Sequence, residues 1–217
     1  MTGDRIPTKL LARRILPNAD PALLRQLGCR EGERSLGIFT TDCDDVSYAA
    51  LDEATKKAAV RVVYARSMYA GAGNASTRLA GEFIGILAGA EPEQVRAGLE
   101  AAADYLENDA AFYSADEQNS VVYFAHCIAR TGSYLSEQAK VPEGAALAYL
   151  IAPPLEATVG LDAALKAADV ELRVFYGPPS ETNFAGGLLT GDQAACRAAC
   201  EAFARAVCGV AAQPLCC

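Results

Sequence analysis

The chain has 217 residues, 52% hydrophobic and 21% charged, enough apolar side chain for one large core or two smaller ones of about 110 residues each. A net charge of −8 argues against a nucleic-acid surface, which carries a basic stripe, and no apolar run reaches the ~18–20 residues that span a bilayer. The opening Met1-Thr2-Gly3-Asp4-Arg5 lacks the apolar stretch of a signal peptide, so a cytoplasmic chain with eight reduced cysteines is expected, and one histidine leaves little for a hydrolytic triad.

In chain order, a strand is predicted over residues 8–15, a short helix over 20–28, a strand over 35–41 and a helix over 48–58. A β-branched run at 60–64, a Gly-containing strand at 82–88 and a helix from 92 to 107 complete the first half, the last helix carrying Val95, Leu99, Ala102 and Leu106 at helical spacing. Helix signals then end near 108–113. The second half predicts the same series: strand 121–129, helix 133–139, strand 146–151, helix 155–168, strand 170–176, strand 186–190 and helix 193–207. His126 falls inside the first of these strands, where a half-buried, hydrogen-bonded imidazole is expected rather than a catalytic base.

The series is a sequence repeat. Residues 51–60 (LDEATKKAAV) align with 161–170 (LDAALKAADV) at an offset of 110, six of ten identical. A second block, 95–101 against 196–202, aligns at an offset of 101, and the surplus in the first copy falls in the Gly-rich segment around Gly71 and Gly73. Alternating strands and helices, twice over, give an α/β class best described as an α+β sandwich: two tandem domains, 1–109 and 110–217, each a small, mostly antiparallel sheet flanked by helices. Asp192, after Gly191, is placed to cap the last helix.

The blocks 160–172 (GLDAALKAADVEL) and 186–195 (GGLLTGDQAA) resemble the bacterial microcompartment (BMC) domain, with its Lys-Ala-Ala-Asp/Asn-Val turn and its Thr-Gly-Asp loop. Across essentially the whole chain, segments such as Asp44-Asp45-Val46-Ser47-Tyr48, Ala152-Pro153-Pro154-Leu155 and Ser180-Glu181-Thr182-Asn183 are similar to the ethanolamine-utilization shell proteins of that family. The resemblance implies a circularly permuted tandem fold and a homotrimer that mimics a hexamer. It also implies a place in the shell lattice beside other shell proteins, within the cytoplasm. It implies a central pore that opens and closes, ringed by loops containing Tyr69, Gly71, Gly73 and Asn183, and puts Lys56 and Lys166 at the tile edge.

Asp44 and Asp45 follow the strand at 35–41. Taken alone, such a pair reads as a helix N-cap beside a solvated carboxylate. The resemblance implies more: Asp44, Asp45 and Glu82 line a small pore within each subunit and hold the ammonium of ethanolamine, with Phe112 and Thr182 as the remaining contacts. The same three carboxylates would take a divalent metal only opportunistically, and no cofactor is expected. Gly71-Ala72-Gly73 has no following Lys-Ser/Thr and makes no phosphate cradle.

Cys196 and Cys200 replace Val95 and Leu99 in the repeat and read as small core hydrophobes, while Cys216 and Cys217 form a terminal pair of no evident purpose. A shell tile is the reading these features favour. The competing ones are an amine-binding regulator or sensor that does not tile, and an enzyme using Asp44, Asp45 or Glu82. The last is disfavoured because neither a nucleophile nor a cofactor motif accompanies the acids.

Overall fold

In the computed structural model, which describes residues 1–68, 79–178, 180 and 182–215, these patterns resolve into ten strands and six helices among the described residues. The first half contains β1 (Arg5–Ile6), β2 (Leu10–Leu16), α1 (Pro21–Gln26), β3 (Ser35–Thr41), α2 (Asp44–Lys57), β4 (Arg61–Ser67), β5 (Phe83–Gly89) and α3 (Pro92–Asn108). The second contains β6 (Phe112–Ser114), β7 (Val122–Ile128), α4 (Ser133–Ala139), β8 (Ala146–Ala152), α5 (Pro154–Ala167), β9 (Val170–Tyr176), β10 (Ala185–Gly191) and α6 (Gln193–Ala212). No helix among the described residues is long and apolar enough to cross a membrane.

Contacts divide the chain into two units. The first is Pro7–Ala110 with Gly132–Leu135; the second is Met1–Ile6, Ala111–Thr131 and Ser136–Cys217. The first unit holds an antiparallel sheet of order β2-β3-β5-β4, and the second repeats that order as β7-β8-β10-β9, extended past β7 by β6 and β1. The repeat extends to irregularities. β4 skips Val63 in pairing with β5, and β9 skips Arg173 in pairing with β10, 110 residues later.

Within the first unit, strand alternation separates two faces. Leu36, Ile38, Ile86 and Ala88 face Leu24 of α1 and Leu27 just past its end, whereas Val95 and Leu99 of α3 pack over Gly37 on the other side, and α2 packs on α3. β3, central in the sheet, is buried almost throughout, Ser35 and Thr41 included. In the second unit Leu150, Leu161, Leu189 and Phe203 form the core beneath α5 and α6, joined by Cys196 and Cys200.

Three differences from expectation have physical causes. Helix α2 starts at Asp44, not near residue 48, because the two acids occupy its first turn, where unpaired N–H groups favour negative charge. Strands β1 and β6, unanticipated, are two and three residues long and pair Arg5 with Tyr113 and Ile6 with Phe112, too short for any periodicity. The expected start of the second domain at residue 110 is crossed by this pairing, which carries Met1–Ile6 into the second unit. Asp192 does cap α6, accepting the Ala195 N–H at 2.7 Å.

Candidate functional site

Strand β3 delivers the chain into an acidic turn. Thr41 ends the strand, Asp42 accepts the Lys9 N–H at 2.7 Å, and Cys43, extended at φ −151°, is the N-cap of α2 without a side-chain capping bond. The pair Asp44–Asp45 is therefore not the expected cap beside a solvated carboxylate. Both acids lie inside the first helical turn and both are buried, the Asp45 N–H donating to Asp44 Oδ1 at 2.9 Å. The turn is held from below: Ser47 Oγ donates to the Cys43 carbonyl (2.6 Å) and meets the Thr41 hydroxyl at 2.6 Å.

Glu82 reaches the same turn from the start of the neighbouring strand, β5. Gly81 adopts φ +63°, and a Cβ on it would lie 2.0 Å from the Thr41 carbonyl oxygen, so only glycine brings the chain this close. The Glu82 N–H then donates to that carbonyl at 2.8 Å. Burial raises the Glu82 carboxyl above the usual glutamate range, and the charges of Asp44 and Asp42 raise it further.

Tyr48, one helical turn on from Asp44, closes the group. Its hydroxyl lies 2.9 Å from Ser67 Oγ and its ring packs edge-on against Phe83 at 4.9 Å. Burial pushes its phenol up, against the Ser67 hydrogen bond, with Asp44 and Asp45 adding to the rise. Burial and Asp45 likewise push the Cys43 thiol far above its ordinary range, leaving a protonated filler. Four carboxylates thus converge with a neutral phenol and a neutral thiol. Burial and the charges of Asp44 and Asp42 disfavour ionisation of Glu82, and a nearby cation would offset them. Among the described residues no set of three or more His, Cys, Asp or Glu is placed to hold a metal ion.

The five ligand contacts expected from sequence divide between the units: Asp44, Asp45 and Glu82 lie in the first, Phe112 and Thr182 in the second. Phe112, on β6, is buried between Phe124 (5.5 Å) and Phe184 (5.9 Å). Thr182 is half-buried in the turn between β9 and β10, beside Asn183 at φ +61°. Of the expected central-pore residues only Asn183 is described; Tyr69, Gly71 and Gly73, like Cys216 and Cys217, lie outside the described residues. Lys56 pairs with Glu53 and Asp52 on α2, and Lys166 pairs with Asp162 on α5 at 2.6 Å. His126 is half-buried and stacked on Phe124.

Asp42 and Tyr48 had not been singled out. The signal for Asp42 was present, three acids in the four positions 42–45, but it was read as a pair. The repeat adds a contrast. Aligned on α2 with α5 and on β5 with β10, the positions of Asp44, Asp45 and Glu82 are taken in the second copy by Pro154, Leu155 and Phe184. The acidic group is built once per chain, on one of two equivalent frames.

The BMC domain family matches residues 35–118. The bacterial microcompartment shell protein EutL of Clostridium perfringens is 60% identical over 99% of both chains. That of Salmonella typhimurium is 49% identical over 98% of this chain and 97% of its own. The chain belongs to the EutL family of microcompartment shell proteins. A crystal structure of the ethanolamine utilization protein EutL from Leptotrichia buccalis, 62% identical, superposes over the full length of both chains with a TM-score of 0.97. The shell protein PduB, 22% identical with a TM-score of 0.75 over 94% of this chain and 89% of its own, shares the fold. The EutL relatives are named as shell proteins rather than enzymes, in keeping with the expected tandem BMC fold, shell role and absence of catalysis.

Proposed function

We propose that three copies of the chain form a flat tile in the shell of an ethanolamine-utilizing microcompartment, and that the acidic group of each copy receives ethanolamine. Two domain copies per chain support the number, since a six-unit ring then takes three chains. The observation that carries the ligand is the burial of Asp44 and Asp45 beside Glu82, whose carboxyl is raised by its surroundings. An alkylammonium ion would donate charge-assisted hydrogen bonds to these carboxylates. Phe112 would pack on the ligand's methylenes and Thr182 would pair with its hydroxyl. Tiles of this kind would join other shell proteins edge to edge, with Lys56 and Lys166 near that edge. Ligand in the small pore would bias the central pore toward closure only if it bound the two states with different affinity.

Light scattering with negative-stain imaging tests the tile, and calorimetric titration with ethanolamine tests the pocket. A three-chain particle packing into sheets, with binding weakened at least tenfold in Asp45→Asn, is the expected result. A monomer that binds ethanolamine would make the chain a sensor. A sheet-forming trimer that ignores ethanolamine would keep the tile and remove the ligand.

A further inference from the structure

Away from the acidic group the first unit holds a second charged cluster, of opposite sign. Among the described residues β2 pairs only with β3 and is the outer strand of its sheet. Ile15 lies opposite Gly37, over which Val95 and Leu99 of α3 pack, so Ile15 faces α3, and Arg13, two residues back, shares that face. Arg14 starts from the other face, but its guanidinium turns back and donates to the Arg13 carbonyl at 2.8 Å. Helix α3 adds Arg96 and Glu100, four residues apart. Together with Ile15 and Leu99 these side chains line a cavity of about 290 Å³.

Three arginines face one glutamate there, in a chain that has 27 acids and 19 bases. Arg34, Arg61, Arg173 and Arg205 each hold a glutamate; among the described residues Arg13, Arg14 and Arg96 form no ion pair. Guanidinium groups stay charged at any ordinary pH, so bringing three together costs energy that an anion between them would offset. Charge on an outer strand also wards off pairing with another sheet. That accounts for Arg13 and Arg14. It does not account for Arg96, which comes from a helix, or for the apolar floor of Ile15 and buried Leu99.

The second unit has the same frame without the cluster. Strand register sets Ala125, His126 and Cys127 of β7 against Arg13, Arg14 and Ile15, and the repeat sets Arg197 and Glu201 against Arg96 and Glu100. Arg197 lies beside the Cys127 thiol. Ile15 offers Arg96 no such partner, and both arginines of β2 are additions of the first copy.

We propose that this cavity binds a phosphate monoester, its phosphoryl group held by Arg13, Arg14 and Arg96 and its organic part laid on Ile15 and Leu99. Such a group carries about −1.5 to −2 charges at neutral pH and presents three acceptor oxygens, against three guanidinium forks and a net excess of two positive charges in the lining. A carboxylate has a smaller charge and one oxygen fewer. Glu100 faces any hydroxyl or amine that the organic part carries. The volume suits a small metabolite rather than a polymer. The acidic group takes no part, so the site stands whether or not the chain binds ethanolamine.

The test is calorimetric titration of the full chain at low salt with phenyl phosphate and with benzoate, which share a ring and differ in the anion. Phenyl phosphate is expected to bind roughly tenfold more tightly than benzoate, and Arg13→Gln and Arg96→Gln each to weaken it roughly tenfold. Phenyl phosphate has no donor for Glu100, so Glu100→Gln should tighten it. All three side chains are exposed, and thermal melts should leave the variants at the wild-type midpoint. Should a melt be displaced, Arg13→Lys and Arg96→Lys keep the charge, lose the fork and should fall between wild type and the glutamine variants. No saturable heat with phenyl phosphate, benzoate bound as tightly, or an affinity that neither arginine substitution changes would each overturn the site.

Discussion

Asp52 and Gly132 stand 80 residues apart in sequence and meet through a 2.7 Å hydrogen bond from the Gly132 N–H to a carboxylate that is fully buried. The second oxygen takes the Leu135 N–H at 2.8 Å, and Lys56 lies 3.8 Å away. Burial raises this carboxyl, against the pull of the two N–H donors and the lysine.

Removing that anchor is expected to be expensive. Asp52→Ala strands two buried N–H groups at roughly 1–3 kcal/mol apiece. Gly132→Ala acts from the other side, since its Cβ would fall 2.6 Å from the Asp52 carbonyl oxygen. Urea melts should place both variants several kcal/mol below wild type. Asp162→Ala, whose carboxylate is exposed beside Lys166, should change the stability of the unassembled chain by less than about 1 kcal/mol.

Glu82 makes a pH prediction. Its carboxyl is raised in the folded chain, so the folded state binds the proton more tightly than the unfolded one. The stabilisation this gives is complete below the unfolded glutamate value and is lost as pH rises through the raised one. Glu82→Gln should therefore be more stable than wild type at pH ~7 and indistinguishable from it near pH ~4. On the proposed ligand, ethanolamine affinity should run the opposite way, falling as the pH drops and Glu82 takes up its proton. A Glu82→Gln protein with unchanged stability at neutral pH would remove the argument for strain at this group.

An arginine on the sheet's edge strand clamps the end of the short helix in each unit. Arg61 of β4 donates to the Gly28 carbonyl (2.9 Å) and to both Glu33 oxygens, and Arg173 of β9 donates to the carbonyls of Ala139 (3.2 Å) and Lys140 (2.9 Å). Burial opposes ionisation of Glu33, but the Arg61 hydrogen bond leads the effects that hold its carboxyl below the usual range. That contribution is present above the unfolded value and is lost as pH falls through the lower folded one. Arg61→Ala should cost about 1–3 kcal/mol in denaturant melts, and the deficit should shrink in acid.

The thiols in the core of the second unit should be inert. Burial raises Cys196 to about 11 and Cys200 further still, with Cys127 adding to both. Alkylation followed by mass spectrometry at pH ~8 should leave these two unmodified in the native protein and label them once it is unfolded. Modification of native Cys200 would mean that α6 opens far more readily than its packing on β7 and β8 implies.

The repeat was legible because a 110-residue offset preserves side-chain identity along whole helices, and with it came the class and both sheets. The short strands β1 and β6 were not, since they exist only through pairing across more than a hundred residues. The acids at 44 and 45 were visible as a pair. Their burial was not, because it depends on Gly81 bringing Glu82 against the end of β3. Asp52 escaped notice for a related reason: its partners are backbone N–H groups of Gly132 and Leu135, which leave no mark in side-chain pattern.

Asp45 and Leu155 occupy the same step of the same helix in the two copies. A chain with a single domain would have to write the same residue into all six places of a ring, acidic or apolar alike. Duplication frees alternate places to diverge, so negative charge can be concentrated at three points of a sheet while the three between them stay oily. The surface such a tile offers to small amines would be patterned at twice the spacing its backbone repeats.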